Sequence, residues 1–390
     1  MEYLGRRYYK LTRIFTLPFG LWPFNDSFAK PIQAFFCVSL LLSAILVQVI
    51  RLFTMEYDLV LILTDVSFII PFSVYLLKYN TLYINSRKIR NIIKIIENNW
   101  NKLKDEREVE IVRKHANDGK KFMYFFAGLA YPGVVCFLVI EFSADILDFV
   151  APLNESRPRN ILFVTEYFVD QQRYFYLIVC HMTLAATIGL VSVITDETFF
   201  FAYIHYICGI FEVVGYRIQH SLNCVSAANK EKIIRMNIID AIESHKKIIE
   251  LFEYVMEAHK QSYFVLMILG VASLSVNLLR FFQTLTISDQ RKQLVIYMLF
   301  IIGHFYYMFI LQYMGQKITN SSIQVHVKAY DTQWYAAPVQ IQKLLLFIMQ
   351  RSMKSCKFFL GYIFPVSLEH FTTLASTSVS YFTIIYSVQE

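Results

Sequence analysis

Five positions near the end of the chain, Thr373, Thr377, Ser380, Ile384 and Ser387, recur at spacings of four, three, four and three. That rhythm places them on one face of a helix. The segment carrying them, about 366–388, holds Ser or Thr at 367, 372, 373, 376, 377, 378, 380, 383 and 387 within an otherwise apolar run. Lipid does not reward hydroxyls at that density, because polar groups inside a bilayer face protein or a water-filled path. Two kinds of chemistry fit. A polar stripe closed by one bulky apolar residue, Ile384, lines a narrow pore with a hydrophobic gate. The same small hydroxyl residues also suit close packing against neighbouring helices. Spacing alone leaves both open.

A second set of residues is aromatic. Phe68, Phe72 and Tyr75 share a face of one apolar segment. Tyr131 and Phe137 lie in a second, Phe175 and Met182 in a third, and Phe305, Tyr306 and Tyr307 in a fourth. As an ensemble they suit an apolar cavity with a few hydroxyls, made for a small volatile or lipid-like molecule. Taken singly, each is also an ordinary packing or interfacial residue. Asp65 is an intramembrane carboxylate, which marks it for function by default. Its place near the end of its segment, shared by Glu141, Asn277 and Arg280, leads us to expect solvation at the outer surface.

Enzyme signatures are absent: no phosphate-binding loop, no HExxH, no GxSxG. His181, His205 and His304 have no partner at ligand spacing and are expected to be structural. The six cysteines, 37, 136, 180, 208, 224 and 356, show no paired spacing, so neither a disulfide frame nor a metal site is expected. No cofactor is implied.

These residues need helices to position them. The chain has 390 residues, 56% hydrophobic and 16% aromatic, with a mean hydropathy of +0.43. That composition predicts an all-α, polytopic membrane protein. Seven spans are predicted at about 31–53, 59–78, 121–141, 174–195, 262–285, 293–315 and 366–388. Apolar character in the fourth persists to Val214 past Asp196 and Glu197, so that helix is expected to run on beyond the bilayer. The first thirty residues hold five basic residues and no uninterrupted apolar core, so the first span is expected to direct insertion. The whole chain reads as one unit, 1–390, without repeat, Gly/Ser linker or second soluble domain.

Charge orients it. Placing the N-terminus in the cytosol puts thirty of the thirty-seven Lys and Arg residues inside and the C-terminus outside. The net charge of +7 is therefore topogenic and gives no reason to expect nucleic acid. The sequon at Asn154 falls in the outer loop 142–172 and is a candidate for glycosylation, whereas those at Asn25 and Asn320 fall inside. Between spans, Ile89, Ile93, Ile96, Trp100 and Leu103 recur at helical spacing, as do Ile234, Ile238, Ile242, Ile249, Phe252 and Met256. Alternating acids and bases favour packing of these helices on protein over lying on lipid. Segments of about 196–260 and 316–360 are expected to form a cytosolic helical bundle.

The chain resembles the insect odorant receptor family. The residues that carry the likeness are Ala329-Tyr330, Trp334-Tyr335, Pro338, Gln342-Lys343-Leu344-Leu345, Arg351-Ser352 and Ser380-Tyr381-Phe382-Thr383. A lesser block is Ala241-Ile242, His245 and Ile248-Ile249. The length, without a large cytosolic insertion, resembles a ligand-tuning subunit rather than the shared co-receptor. The resemblance implies a plasma-membrane receptor of sensory-neuron dendrites that binds a volatile within the bundle. It further implies a tetrameric, non-selective cation channel formed with the odorant receptor co-receptor. On that likeness Ile384 takes the gate position and Ser387 and Val388 face the outer pore, while Ser380 and Thr377 are pore candidates from the hydroxyl spacing. The family often has Gln where Ser387 stands. Tyr330, Trp334 and Tyr335 fall in the anchor through which subunits meet. A gustatory-type channel of the same fold is the alternative, though its usual Thr-Tyr ending differs from Ser380-Tyr381. A G-protein-coupled receptor would need an outer N-terminus and an acidic-Arg-aromatic triplet, and neither is expected here.

Overall fold

Apolar runs of twenty and more residues separated by charged stretches dictate long helices, and the computed structural model is built from them. It describes residues 9–55, 58–103, 105–151, 157, 159, 161, 163–223, 230–285, 291–361 and 363–389. Within these, the side chains of 10, 11, 129–131, 133, 134, 137, 223, 230, 291, 292, 388 and 389 are outside the description. Asn154 lies outside the described residues, as do the side chains of Tyr131, Phe137 and Val388.

The described helices are α1 (Lys10–Thr16), α2 (Lys30–Thr54), α3 (Leu59–Ile84), α4 (Ser86–Trp100), α5 (Glu106–Glu141) and α6 (Ser143–Val150). They continue with α7 (Phe175–Asn223), α8 (Lys230–Leu285), α9 (Arg291–Tyr330), α10 (Val339–Met353) and α11 (Leu368–Gln389). Side chains start two of them: Asp58 accepts from the Val60 amide at 3.0 Å, and Asp105 from that of Arg107 at 2.8 Å. α7 has 49 residues and α8 has 56. At 1.5 Å per residue they reach roughly 70 and 80 Å, more than twice a hydrocarbon core of about 30 Å.

Five helices, α2, α3, α7, α8 and α9, are long and apolar enough to cross a membrane. The other two expected spans, in α5 and α11, are also helical, and hydroxyls along α11 dilute its apolar character. The 3₁₀ turn Trp334–Ala336 follows α9, and an antiparallel hairpin of β1 (Phe359–Leu360) and β2 (Phe364–Pro365) precedes α11. Gly361 turns that hairpin at φ +63°, a conformation open to glycine. Neither the hairpin nor α6 is legible in the hydropathy pattern.

α7 is the hub, packed by α3, α5, α8 and α9. Its Phe199, Phe200, Phe201, Tyr203, Ile207 and Phe211 are all buried in the main core. α4 buries Ile89, Ile92, Ile93 and Ile96, and α8 buries Ile234, Ile238, Ile249, Phe252 and Met256. Both amphipathic faces thus rest on protein. Arg217 on α7 holds Glu108 on α5 through two bonds of 2.5 and 2.7 Å. Tyr79 donates to the Phe19 carbonyl at 2.8 Å and Arg90 to that of Pro23 at 2.7 Å, which straps the N-terminal segment to α3 and α4. Arg90 also pairs with Asp26, and that hydrogen bond holds the carboxyl below its ordinary range.

Surface solvation of the outer polar residues is corrected. Asp65 is 1% exposed, and Glu141, Asn277 and Arg280 are buried too. Neighbouring helices and backbone cover them: Asn277 donates to the Ser273 carbonyl at 2.7 Å, and Arg280 stacks over Tyr297 at 5.4 Å. The three histidines expected to be structural have polar neighbours. His181 lies 2.9 Å from the Ser43 hydroxyl and 2.6 Å from that of Tyr167. His205 lies 3.0 Å from the Lys317 ammonium, and His304 2.7 Å from the Phe300 carbonyl.

Candidate ligand cavity and uncovered helix face

Helix packing is imperfect where two prolines interrupt the hydrogen-bond ladder, at Pro71 in α3 and Pro132 in α5. Between those helices, α7 and α9 lies a cavity of about 520 Å³. That is a volume suited to a small organic ligand. α3 contributes Phe68, Pro71, Phe72 and Tyr75; α5 contributes Phe126, Pro132, Cys136, Leu138 and Ile140. α7 adds Thr183, Ala186 and Leu190, and α9 adds Ile296, Leu299, Phe300, Ile302, Gly303, Tyr306 and Tyr307. Phe163 closes it from the loop before α7, its ring 6.3 Å from Phe68 and 5.9 Å from Phe72.

Five of the ten expected pocket residues, Phe68, Phe72, Tyr75, Tyr306 and Tyr307, are brought together here. Phe175, Met182 and Phe305 do not line the cavity. Phe175 packs edge-on against Phe142 at 6.2 Å beneath Arg159, and Met182 is fully buried in the main core. Phe305 is half-buried on another face of α9, one residue from the lining pair. Period alone finds a helix face; it does not say which neighbour that face meets. Phe126 and Phe163 went unnoticed, the second because a loop carries no periodic signal.

The wall has a defined shape and few polar groups. A Cβ on Gly189 would sit 2.1 Å from the Tyr75 ring, so the absent side chain lets α3 and α7 close on that tyrosine. Phe126 stacks on Tyr306 at 5.9 Å. The Tyr306 hydroxyl is buried and has no hydrogen-bond partner among the described residues. The neighbouring Tyr307 hydroxyl instead donates to Glu197 Oε1 at 2.7 Å.

Behind Tyr307 lies a group of charges with almost no exposure. Lys78 on α3 bonds Asp196 Oδ2 at 2.5 Å and Glu197 Oε1 at 2.7 Å, both on α7. Tyr263 on α8 donates to Glu197 Oε2 at 2.9 Å, and its ring lies 4.1 Å below the Lys78 ammonium. His259 Nδ1 stands 3.6 Å from Asp196 Oδ1, beyond hydrogen-bond reach. Sequence reading saw Asp196 and Glu197 only as an interruption of the apolar run, because the partner cation is 118 positions away. Among the described residues no group of three His, Cys, Asp or Glu is placed to hold a metal.

α11 divides cleanly into two faces. On one, Phe382 stacks on Phe282 of α8 at 4.9 Å, and Phe382 and Ile385 pack on Leu63, Val276 and Leu279. The Ser275 hydroxyl donates to the Ser378 carbonyl at 3.1 Å. The other face, an open groove over Thr373, Thr377, Ser380, Tyr381 and Ile384, is covered by none of the described residues. Its hydroxyls turn back on their own helix, Thr377 to Thr373, Ser380 to Ser376 and Ser387 to Ile384, at 2.8 to 2.9 Å. Among the described residues no other helix packs on this stripe. Ile384 is 57% exposed on that face. Tyr330 and Tyr335 are likewise exposed, and Trp334 is half-buried against the core.

A family model described as 7tm Odorant receptor matches residues 58–379. The chain belongs to the odorant receptor family. This is a family of receptors rather than enzymes. The fold is similar to that of the insect olfactory receptor OR5 from Machilis hrabei solved in complex with eugenol. That likeness has a TM-score of 0.82 at 16% identity and covers 98% of each chain. In sequence, the chain is 26% identical to Odorant receptor 10 of Aedes albopictus over 41% of its own length and 42% of that protein's. It is 23% identical to Odorant receptor 22c of Drosophila melanogaster over 60% of its length and 58% of that protein's. The chain thus spans about half the length of the curated relatives it matches.

Proposed function

We infer that this odorant receptor family member binds a small, mostly apolar volatile in the cavity between α3, α5, α7 and α9. Binding opens a non-selective cation channel lined by the uncovered face of α11. Affinity comes from buried apolar area and shape, with hydroxyls such as that of Tyr306 adding preference for an oxygen-bearing group. The ligand must favour the open arrangement over the closed one, since equal affinity shifts nothing. One observation carries the reading: the helix that walls the cavity also holds the foot of the hydroxyl-faced helix. Gln312 on α9 accepts the Ser367 amide at 2.8 Å just before α11 begins.

Four subunits supply four such faces, this chain assembling with the odorant receptor co-receptor in the plasma membrane. Ile384 is the hydrophobic gate, and Thr377, Ser380, Ser387 and Val388 line the path on either side. Tyr330, Trp334 and Tyr335 belong to the cytosolic anchor of the assembly, formed by the far portions of α7 to α10. Seven helices cross the membrane with the N-terminus inside, which places Asn154 outside for glycosylation. The exposed tyrosines after α9 and the uncovered groove on α11 support an assembly surface and a pore respectively.

The test is whole-cell current from cells expressing this chain with and without the co-receptor, under a panel of volatile esters, alcohols, phenols and hydrocarbons. G-protein signalling is blocked throughout. A fast cation current in co-expressing cells, altered in permeation or gating by Ile384→Asn, is the expected result. No evoked current with both chains at the surface counts against the reading.

A further inference from the structure

Tyr307 belongs to two structures at once. Its ring lines the cavity, and its hydroxyl donates to a carboxylate that the cavity does not touch. That carboxylate, Glu197, is also bonded by Lys78 and by Tyr263, so three helices besides its own are tied to one side chain. The Tyr263 ring meets Phe358 edge-on at 5.9 Å. Phe358 in turn accepts the Val366 amide at 2.8 Å, closing the hairpin that leads directly into α11. A Cβ on Gly315 of α9 would lie 2.4 Å from the Val366 carbonyl, so α9 itself presses on the same joint.

The geometry points to Tyr307 as the residue that couples the cavity to α11, acting through the Glu197 carboxylate and Tyr263. This rests on the proposed odorant-gated channel and assigns the link inside it. The path is short and made of parts with little freedom. A buried carboxylate bonded by an ammonium and two phenols cannot turn without breaking a charge-assisted bond. A ligand that displaces the Tyr307 ring therefore changes the terms on which Glu197 holds Tyr263. Tyr263 cannot yield without moving Phe358, and with it the hairpin. The cluster has two negative and one ammonium charge, so the two phenol donors help balance it and are not spare. His259, facing Asp196 at 3.6 Å, is the other group able to answer a shift. Tyr307 touches ligand through its ring and acts on the gate only through others, so it is a positioning residue.

Tyr307→Phe keeps the ring in the cavity wall and deletes only the bond to Glu197. The variant is co-expressed with the co-receptor, surface levels are matched by biotinylation, and the most effective volatile of the panel is titrated. We expect the half-maximal concentration to rise about tenfold and the maximal evoked current to fall, on the scale of one charge-assisted bond. Tyr306→Phe, next door in the same wall, leaves the maximal current intact. Glu197→Gln alone also uncouples, and adding Tyr307→Phe to it produces no further shift, because the charge-assisted bond that Tyr307 makes is among those already lost. If Tyr307→Phe does not reach the surface, Tyr263→Phe cuts the same link from the other side and is read identically. A wild-type response left unchanged by Tyr307→Phe, or shifts that add in the double variant, overturns the coupling while leaving the channel reading intact. A wild-type chain silent to every volatile at the surface overturns both.

Discussion

The cavity and the charge cluster behind it meet at Tyr307, yet their walls obey different rules. Around the cavity, aromatic and aliphatic side chains from four helices and a loop share one volume, and no single contact defines it. In the cluster, Lys78, Asp196, Glu197 and Tyr263 each satisfy a named atom of another at 2.5 to 2.9 Å. Dispersion and burial are non-directional and tolerate substitution of similar volume. Buried charges are directional and fail when one partner is lost. This chain separates the two by the thickness of one tyrosine.

The largest expected effect tests the cluster. Lys78→Met removes the only ammonium bonded to Asp196 and Glu197 among the described residues and strands two buried carboxylates. The cost of breaking such a pair is about 3–5 kcal/mol. Melting of the detergent-solubilised receptor should fall steeply, and surface delivery with it. Neutralising the acids as well, with Asp196→Asn and Glu197→Gln, should restore part of the loss. A melting temperature indifferent to Lys78→Met means the cluster is held by something other than its charges.

A mid-sized effect belongs to the seam of the cavity. Gly189→Ala places a methyl where the Tyr75 ring now lies, 2.1 Å away, and either the ring or α7 must move. Overpacking of this kind costs about 1–3 kcal/mol. The expected outcome is reduced stability together with a reordered odorant preference, since Tyr75 lines the cavity. Tyr75→Ala in the same chain should relieve the stability loss. Failure of that rescue would place the strain in the backbone of α7 instead of the ring.

The difference between the two regions also explains what could be read from the sequence. Hydrophobic period identified the helices: Ile89, Ile93 and Ile96 share a buried face, and the apolar run that persists to Val214 belongs to one 49-residue helix. The hydroxyl rhythm from Thr373 to Ser387 marked a single face, which this chain leaves uncovered. Half of the expected cavity residues reached the cavity because each lay on a face turned inward by composition. Phe175 and Met182 lay on similar faces but met Phe142 and the core of α7. The cluster was illegible for a stricter reason. Lys78 closes one apolar run and Asp196–Glu197 interrupt another, so each looks like a boundary until tertiary packing pairs them.

The smallest effect is the most discriminating, because it compares neighbours. Tyr306 and Tyr307 are adjacent, line the same cavity and differ in what their hydroxyls do. The Tyr306 hydroxyl is buried and bonds nothing among the described residues, so deleting it should leave the protein as stable or slightly more so. Its consequence falls on the ligand. For an ester or phenol that bonds this hydroxyl, Tyr306→Phe should cost about 0.5–1.5 kcal/mol, a two- to tenfold rise in half-maximal concentration. For a hydrocarbon of the same size the curve should not move, since ring area and cavity shape are kept. Tyr307→Phe should shift both ligands alike, because its hydroxyl serves the cluster and not the odorant. A pattern that depends on ligand chemistry at 306 but not at 307 separates recognition from coupling within two consecutive residues. Equal, ligand-dependent shifts at both positions would instead merge the cluster into the binding site.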